Sequence, residues 1–151
     1  MKTVQGDLLK LAMDGKFDVI VHGCNCFCTM GAGIAKTIKQ KFPEAFEADL
    51  KTVSGDRDKL GTVSTALIVR GNISFEIVNA YTQFNWRGPG TKAEYTAIAD
   101  AFAEVKRMYS GKRIGYPAIG AGLARGNWTL IASLIDKHLE GEDHTFVEFV
   151  R

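Results

Sequence analysis

The sequence predicts an α/β fold with three layers, α/β/α, around a mixed central sheet. Short apolar runs typical of buried strands alternate along the chain with segments of helical period. Two strand-like runs, 63–69 and 73–81, are separated only by Arg70-Gly71-Asn72, which is typical of a hairpin. The alternation favours parallel strands covered by helices, and the hairpin makes the sheet mixed. The length of 151 residues suits one domain, residues 1–151.

The first half of the chain contains five predicted elements. We expect Gly6 to end the first strand. We expect Pro43 to end the helix that immediately precedes this proline. Pro43 also suits the first turn of the next helix, and we expect Phe46 and Leu50 to form the apolar side of that helix. The five elements are a strand at 3–6, a helix at 8–13, a strand at 17–21, a helix at 34–42 and a helix from Pro43.

The second half, after the hairpin, is predicted to contain two helices and two short strands. Thr91 follows a loop of turn-forming residues and is expected to cap the longest helix. Apolar residues recur in that helix at steps of three and four: Tyr95, Ile98, Phe102, Val105 and Tyr109. Asn127 is a suitable cap for the last helix, whose apolar stripe is Trp128, Ile131, Leu134, Ile135 and Leu139. The strands are expected at 113–117 and 145–150.

The chain is organised around residues 19–36, where an apolar strand runs through a glycine-rich turn, Gly31-Ala32-Gly33, into a helix beginning at Ile34. Such a turn can hold phosphate, because the backbone can approach closely and the free N–H groups at the helix start favour an anion. A second loop of this kind, Gly120-Ala121-Gly122, precedes Leu123 and the last helix. Two such loops suggest a diphosphate held between them. The alternative is that the glycines only form tight turns with positive φ.

Neither loop is followed by the Gly-Lys-Ser/Thr of a P-loop, so hydrolysis of a nucleoside triphosphate is not expected. Three polar residues near strand ends are candidates for ligand contacts. Asp7 can accept a hydrogen bond from an exocyclic amine such as that of adenine, or it can cap the helix that begins at Leu8. Asn25 suits a sugar hydroxyl or an attacking water, since it both donates and accepts. His22 is either a proton-transfer group or a buried, hydrogen-bonded histidine.

Three aromatic residues, Tyr81, Phe84 and Trp86, lie in or beside the loop that follows the hairpin. Aromatic rings at such a place can stack on a base or form the wall of a ribose site. The alternative is a surface loop that packs on its own apolar side chains. The residues alone leave both interpretations open.

Composition and cysteine usage exclude several classes of protein. A net charge of +2 is too weak to indicate a nucleic-acid surface, and no apolar run is long enough to cross a bilayer. Strand-like sequence begins directly after Met1, so we expect no signal peptide and a cytoplasmic location. Cys24, Cys26 and Cys28 are a poor disulfide framework, and we expect reduced thiols. No second ligand cluster accompanies them, so we expect no metal and no cofactor.

Four segments together resemble the macro domain family. They occur in the family's order and the likeness spans essentially the whole chain: Gln5-Gly6-Asp7-Leu8, His22-Gly23-Cys24-Asn25, Met30-Gly31-Ala32-Gly33-Ile34-Ala35 and Pro117-Ala118-Ile119-Gly120-Ala121-Gly122-Leu123. Within that family, the chain is most similar to the branch of yeast-type ADP-ribose 1″-phosphate phosphatases with their phage and bacterial relatives. Terminal ADP-ribose glycohydrolases belong to the same branch.

The resemblance implies a binding mode for ADP-ribose. Asp7 would bind the adenine amine with Leu8 packed nearby, and Asn25 would meet the distal ribose. Tyr81 or Phe84 would lie at the adenine or distal-ribose wall. The two phosphate loops would be Gly31, Ala32, Gly33 and Ile34 on one side and Gly120, Ala121, Gly122 and Leu123 on the other.

The chain also departs from its relatives. The glycohydrolases of this branch use a lysine at the end of the strand matching 73–81 and an aspartate after the second glycine-rich loop. Ala80-Tyr81 and Ala124 stand at those places here. Another hydrolase branch has paired asparagines, and His22 replaces the first of that pair.

These departures favour hydrolysis of the phosphomonoester of ADP-ribose 1″-phosphate, with Asn25 orienting the ribose or water and His22 assisting proton transfer. Two alternatives remain: a non-catalytic ADP-ribose reader, and a hydrolase that removes ADP-ribose from protein or nucleic acid. The expected partners are ADP-ribose or its 1″-phosphate and ADP-ribosylated macromolecules, with no membrane. We expect a monomer.

Overall fold

Six strands form one sheet, and five helices pack on its two faces. The computed structural model describes residues 1–150. The strands β1 to β6 are Lys2–Gly6, Val19–Cys24, Val63–Arg70, Ile73–Tyr81, Arg113–Tyr116 and Asp143–Phe149. The helices α1 to α5 are Leu8–Met13, Gly33–Lys41, Pro43–Leu50, Tyr95–Tyr109 and Trp128–His138, and a short 3-10 helix occupies Arg57–Lys59.

The sheet has the strand order β1-β6-β5-β2-β4-β3. All neighbouring strands are parallel except β3 and β4, whose antiparallel register runs from Val63 opposite Ala80 to Arg70 opposite Ile73. The predicted hairpin and mixed sheet are therefore confirmed. Because β2 pairs in parallel with both β4 and β5, the carboxyl ends of these three strands meet at one edge. This edge brings the two glycine-rich loops together.

Each face of the sheet carries its own hydrophobic layer, which confirms the three-layer architecture. On one face, α4 and α5 bury the predicted stripes, including Ile98, Phe102, Val105, Ile131 and Ile135. On the other face, α1, α2 and α3 bury side chains that include Leu9, Ala12, Ile38 and Ala45. Among residues 1–150, no helix is both long enough and apolar enough to cross a membrane.

Three local predictions are wrong. Strand β2 continues to Cys24 instead of ending at Val21, because its last residues still pair with Asn79 to Tyr81 of β4. Thr91 does not cap α4, since Glu94 occupies that position and the Thr91 hydroxyl donates to the carbonyl of Arg125 at 3.2 Å.

The third wrong prediction concerns the apolar side of α3. Leu50 is 54% exposed, whereas Ala45 and Asp49 face the sheet. Asp49 is only 1% exposed, so a carboxylate occupies a position that the helical period assigns to the core.

Candidate functional site

A cleft of about 590 Å³ opens at the carboxyl edge of the sheet. Two loops form much of its wall: residues 29–35, which lead into α2, and residues 117–124, which follow β5. The loops face each other closely, since a Cβ atom added at Gly33 would lie 3.5 Å from Cδ1 of Leu123. The size of the cleft is typical of a small-molecule site.

The first loop presents the open end of helix α2 to the cleft. Helix α2 begins at Gly33, whose φ of +58° lies in the left-handed region that favours glycine. Ala32 occupies the N-cap position and offers no side chain to cap the helix. The N–H groups of the first turn, those of Gly33, Ile34 and Ala35, have no partner within the helix. They line the cleft, where they favour an anion.

The second loop is folded back on itself by short-range hydrogen bonds. The N–H of Gly126 donates to the carbonyl of Gly120 at 2.6 Å, and Gly120 has a φ of +73°. Within residues 1–150, the N–H groups of Gly120, Gly122 and Leu123 donate to no protein acceptor. The second loop therefore offers free donors across the cleft from those of α2.

Asn25 lies in the cleft wall immediately after β2. Its Oδ1 accepts a hydrogen bond from the N–H of Phe27 at 2.8 Å, and its Nδ2 donates to Oγ1 of Thr29 at 2.8 Å. These two bonds fix the orientation of the amide. A primary amide can make further bonds at both atoms, so Asn25 can still donate to and accept from a ligand.

Asp7 and Leu8 lie at the carboxyl end of β1, outside the cleft wall. The Asp7 carboxylate accepts hydrogen bonds from the N–H groups of Leu9 and Lys10 at 3.0 and 3.3 Å, which confirms the helix-capping interpretation. Leu8 is buried, at 4% exposed. Because Asp7 itself is exposed, its carboxylate is accessible to a ligand that extends beyond the cleft along the same edge of the sheet.

His22 also lies outside the cleft wall and is fully buried. This position agrees with the second interpretation of the sequence, a buried, hydrogen-bonded histidine. Its Nε2 is 2.6 Å from Oδ1 of Asn79. Because Nδ2 of Asn79 donates to the carbonyl of Ala45 and to Oγ of Ser64, Oδ1 must accept and Nε2 of His22 must carry the proton. Burial lowers the pKa of His22 to about 4, so the ring is neutral at pH 7.

Tyr81 is fully buried as well and is not part of the cleft wall. Its hydroxyl donates to Oδ1 of Asp49 at 2.7 Å and lies 2.9 Å from Oγ of Ser64. Burial raises the pKa of Tyr81 well above its usual range. The ring of Tyr81 faces the interior between the sheet and α3. Tyr81 therefore does not form a wall of the cleft, where the resemblance placed it beside the adenine or the distal ribose.

The other predicted residues divide between the cleft and its surroundings. Ala121 is partly buried against the core and is absent from the wall that its neighbours Gly120 and Gly122 line. Phe84 packs against Phe27, with ring centroids 4.9 Å apart, and also lies outside the wall. Trp86 does line the cleft and is 44% exposed.

Sequence reasoning missed five polar residues of the cleft wall: Thr29, Asp49, Thr82, Gln83 and Lys92. The helical period could have identified Asp49, because it lies four residues after Ala45 and therefore on the same, inner side of α3. Gln83 and Lys92 lie in the connection between β4 and α4, where no pattern distinguishes a wall residue from an ordinary loop residue.

The three cysteines are free thiols. Burial raises the pKa of both Cys24 and Cys26, that of Cys26 to about 11, so both thiols stay protonated at neutral pH. Within residues 1–150, no group of three or more His, Cys, Asp or Glu side chains could hold a metal ion.

The burial of His22 predicts how the free energy of unfolding depends on pH. Its pKa is about 4 in the folded protein, against about 6.5 in an unfolded chain. As the pH falls below 6.5, the unfolded state binds a proton that the folded state excludes, so folding is weakened. We expect His22 to lower the free energy of unfolding by about 2 kcal/mol between pH 7 and pH 5.

Urea denaturation of His22→Gln and wild type at both pH values measures this contribution. Gln can keep the hydrogen bond to Asn79, and the variant should lose about 2 kcal/mol less stability on acidification. The control His138→Gln removes a partly exposed histidine from the end of α5 and should follow the wild type. Equal acid sensitivity of all three proteins would contradict the prediction.

The fold and the cleft together define an α/β/α domain in which two glycine-rich loops line a cleft at the carboxyl edge of the sheet. The chain belongs to the macro domain family, whose sequence model matches residues 21–135. The resemblance inferred from the four segments is thereby confirmed.

Curated relatives include an uncharacterized 17.5 kDa phage T4 protein encoded in the tk–vs intergenic region. It is 38% identical over 143 residues, covering 91% of this chain and 89% of the phage protein. A segment of 46 residues is 48% identical to an ADP-ribose 1″-phosphate phosphatase of Aspergillus oryzae, covering 30% of this chain and 21% of that protein. A DNA ADP-ribosyl glycohydrolase of Mycobacterium tuberculosis is 27% identical over 123 residues, covering 82% of this chain and 34% of that protein.

Solved structures with this fold include the macrodomain of Mycobacterium tuberculosis DarG. Its TM-score is 0.76 at 22% identity, with 99% of this chain and 97% of that chain covered. Thermosipho africanus DarTG in complex with ADP-ribose aligns with a TM-score of 0.70 at 17% identity, over 99% of this chain and 42% of that one. At these identities the likeness establishes the fold.

Proposed function

We propose that this macro domain binds ADP-ribose in the cleft and hydrolyses the phosphomonoester of ADP-ribose 1″-phosphate. The observation that carries the proposal is the pair of loops with free backbone N–H groups, which face each other across one cleft. A diphosphate bears charge on both phosphates, so donors on two sides suit it better than a single helix end does. Membership of the macro domain family supports the same ligand.

Each part of the ligand then has a place. The N–H groups of the two loops hold the diphosphate, and Asn25 hydrogen-bonds the distal ribose. The adenine lies toward β1, where Asp7 accepts a hydrogen bond from the amine. His22 and Tyr81 act from behind the floor of the cleft, where they hold other side chains in position instead of touching the ligand.

The phosphomonoester is favoured as the bond that is cleaved for two reasons. The segment shared with the Aspergillus oryzae phosphatase is 48% identical, although it covers only 46 residues. In addition, Ala80 is buried and Ala124 is apolar, so neither position supplies the lysine or aspartate expected of a glycohydrolase. Together these observations support attack by water at phosphorus.

Incubation of the purified protein with ADP-ribose 1″-phosphate tests this proposal. We expect one phosphate and one ADP-ribose released for each substrate consumed, followed by a phosphate assay and by chromatography of the nucleotide. Tight binding of ADP-ribose in calorimetry without any turnover would contradict hydrolysis and leave a reader of ADP-ribosylated macromolecules.

A second candidate is removal of ADP-ribose from DNA or protein. It is supported by the match to a DNA ADP-ribosyl glycohydrolase over 82% of this chain. Release of free ADP-ribose from a modified DNA strand, with no phosphate released from the 1″-phosphate, would favour this activity over the first.

A further inference from the structure

We propose that Asp49 is a catalytic residue of this domain and accepts the proton of the attacking water. The inference rests on the proposed hydrolysis and adds to it a carboxylate that neither glycine-rich loop contains. Asp49 lies on α3, beside the cleft, in a segment without any of the glycine-rich or polar strand-end motifs.

One carboxylate oxygen of Asp49 has no hydrogen-bond partner in the part of the chain that the structure describes. The residue is 1% exposed, and its Oδ2 makes no hydrogen bond with any atom of residues 1–150. A buried carboxylate oxygen without a donor is costly, because desolvation is not offset by a hydrogen bond. Since Asp49 lines the floor of the cleft, a water or a ligand hydroxyl bound there can supply the missing donor.

The other carboxylate oxygen is held by a chain of buried hydrogen bonds. Nε2 of His22 donates to Asn79, and Nδ2 of Asn79 donates to Oγ of Ser64 at 3.0 Å. Ser64 lies 2.9 Å from the Tyr81 hydroxyl, which donates to Oδ1 of Asp49 at 2.7 Å. The donors all point toward the carboxylate, so this chain orients Asp49 and leaves Oδ2 as its available acceptor.

Asp49 also lies beside the place where the distal ribose is expected. The Cys28 thiol, in the turn that begins at Asn25, donates to the backbone carbonyl of Asp49 at 3.2 Å. This contact joins α3 to the turn whose Asn25 amide faces the cleft. With the distal ribose at Asn25, as proposed, the phosphomonoester at its 1″ carbon would lie in the same part of the cleft, whose wall includes both Asn25 and Asp49.

The proposed step conserves atoms and charge. The water oxygen forms a bond to phosphorus while the bond between phosphorus and the ribosyl oxygen breaks, and that electron pair passes to the ribosyl oxygen. Asp49 takes one proton from the water, and the ribosyl oxygen takes one from solvent. Asp49 then returns its proton to solvent. Tyr81 is a positioning residue, since it touches Asp49 and not the substrate.

The test compares Asp49→Asn and Asp49→Ala with wild type on ADP-ribose 1″-phosphate. Asn has the shape of Asp and can still accept from Tyr81, but it is a far weaker base. We expect kcat to fall at least a hundredfold in both variants, which is typical of a lost general base. The affinity for ADP-ribose, measured by calorimetry, should change less than threefold.

Chemical rescue separates proton transfer from a structural role. Added formate should restore part of the rate of Asp49→Ala, because it can occupy the vacated carboxylate site, and it should not accelerate the wild type. Tyr81→Phe should lower kcat about tenfold without changing KM. The control Glu76→Gln alters another carboxylate that is hydrogen-bonded to a tyrosine, Tyr109. Glu76 lies near the middle of β4, where it pairs with Val19 at the amino end of β2 and is away from the cleft. We expect this control to keep the wild-type rate.

These measurements distinguish a wrong role for Asp49 from a wrong hydrolase activity. If wild type releases phosphate and folded Asp49→Asn does so at a similar rate, Asp49 is not the base and the hydrolase assignment stands. If wild type releases no phosphate, both proposals are overturned. Loss of rate without rescue by formate, together with a large loss of ADP-ribose affinity, would make Asp49 a structural or binding residue and overturn the catalytic role.

Discussion

Gly33→Glu should weaken ADP-ribose binding by about a thousandfold or more, equivalent to about 4 kcal/mol. The new side chain would enter the narrow space between the loops, because a Cβ atom at Gly33 already lies 3.5 Å from Leu123. Its carboxylate would occupy the position proposed for the diphosphate and repel that anion. It would also cover the open end of α2 with a charge that satisfies the free N–H groups.

Isothermal titration calorimetry with ADP-ribose measures the effect of this substitution. Gly71→Glu is a matched control, since Gly71 has a similar φ of +61° and has no atoms within 4 Å of an added Cβ. It lies in the β3–β4 turn, at the edge of the sheet opposite the cleft. The control should bind as wild type does. An unchanged affinity for Gly33→Glu would place the ligand elsewhere on the domain.

Gly126→Ala should lower the free energy of unfolding by about 3 kcal/mol, the upper part of the range for overpacked positions. A Cβ atom at Gly126 would lie 2.5 Å from the carbonyl oxygen of Gly120 and 2.8 Å from Cδ1 of Ile131. The first contact is with backbone, which cannot rotate away. The substitution therefore has to break the 2.6 Å hydrogen bond between these glycines and open the second loop.

Gly122→Ala is the control in the same loop. An added Cβ at Gly122 meets no atom within 4 Å, so its stability should stay within about 0.5 kcal/mol of wild type. Chemical denaturation of the two variants compares a crowded and an open glycine in one segment. If Gly126→Ala were as stable as Gly122→Ala, the close approach of Gly126 to Gly120 would not be a requirement of the fold.

Much of the fold could be predicted because its elements carry local patterns. The stripe from Ile98 to Tyr109 and the hairpin at Arg70-Gly71-Asn72 were readable without any knowledge of distant residues. The end of β2 could not be predicted in this way, since its continuation to Cys24 depends on pairing with β4, more than fifty residues further along the chain. Thr91 is likewise a residue type that favours the N-cap position, but its hydroxyl donates to the backbone carbonyl of Arg125 instead.

The sequence by itself determined the order of strands and helices, the two glycine-rich turns and the family, because these depend on short-range periodicity and on residues that stand together in the chain. Only the tertiary structure decided which polar side chains face the cleft. His22 and Tyr81 lie on strands buried on both faces, where alternation does not distinguish a core position from a wall position. Asp49 reaches the cleft floor because α3 packs on β3 and β4, a contact between elements that no local pattern specifies.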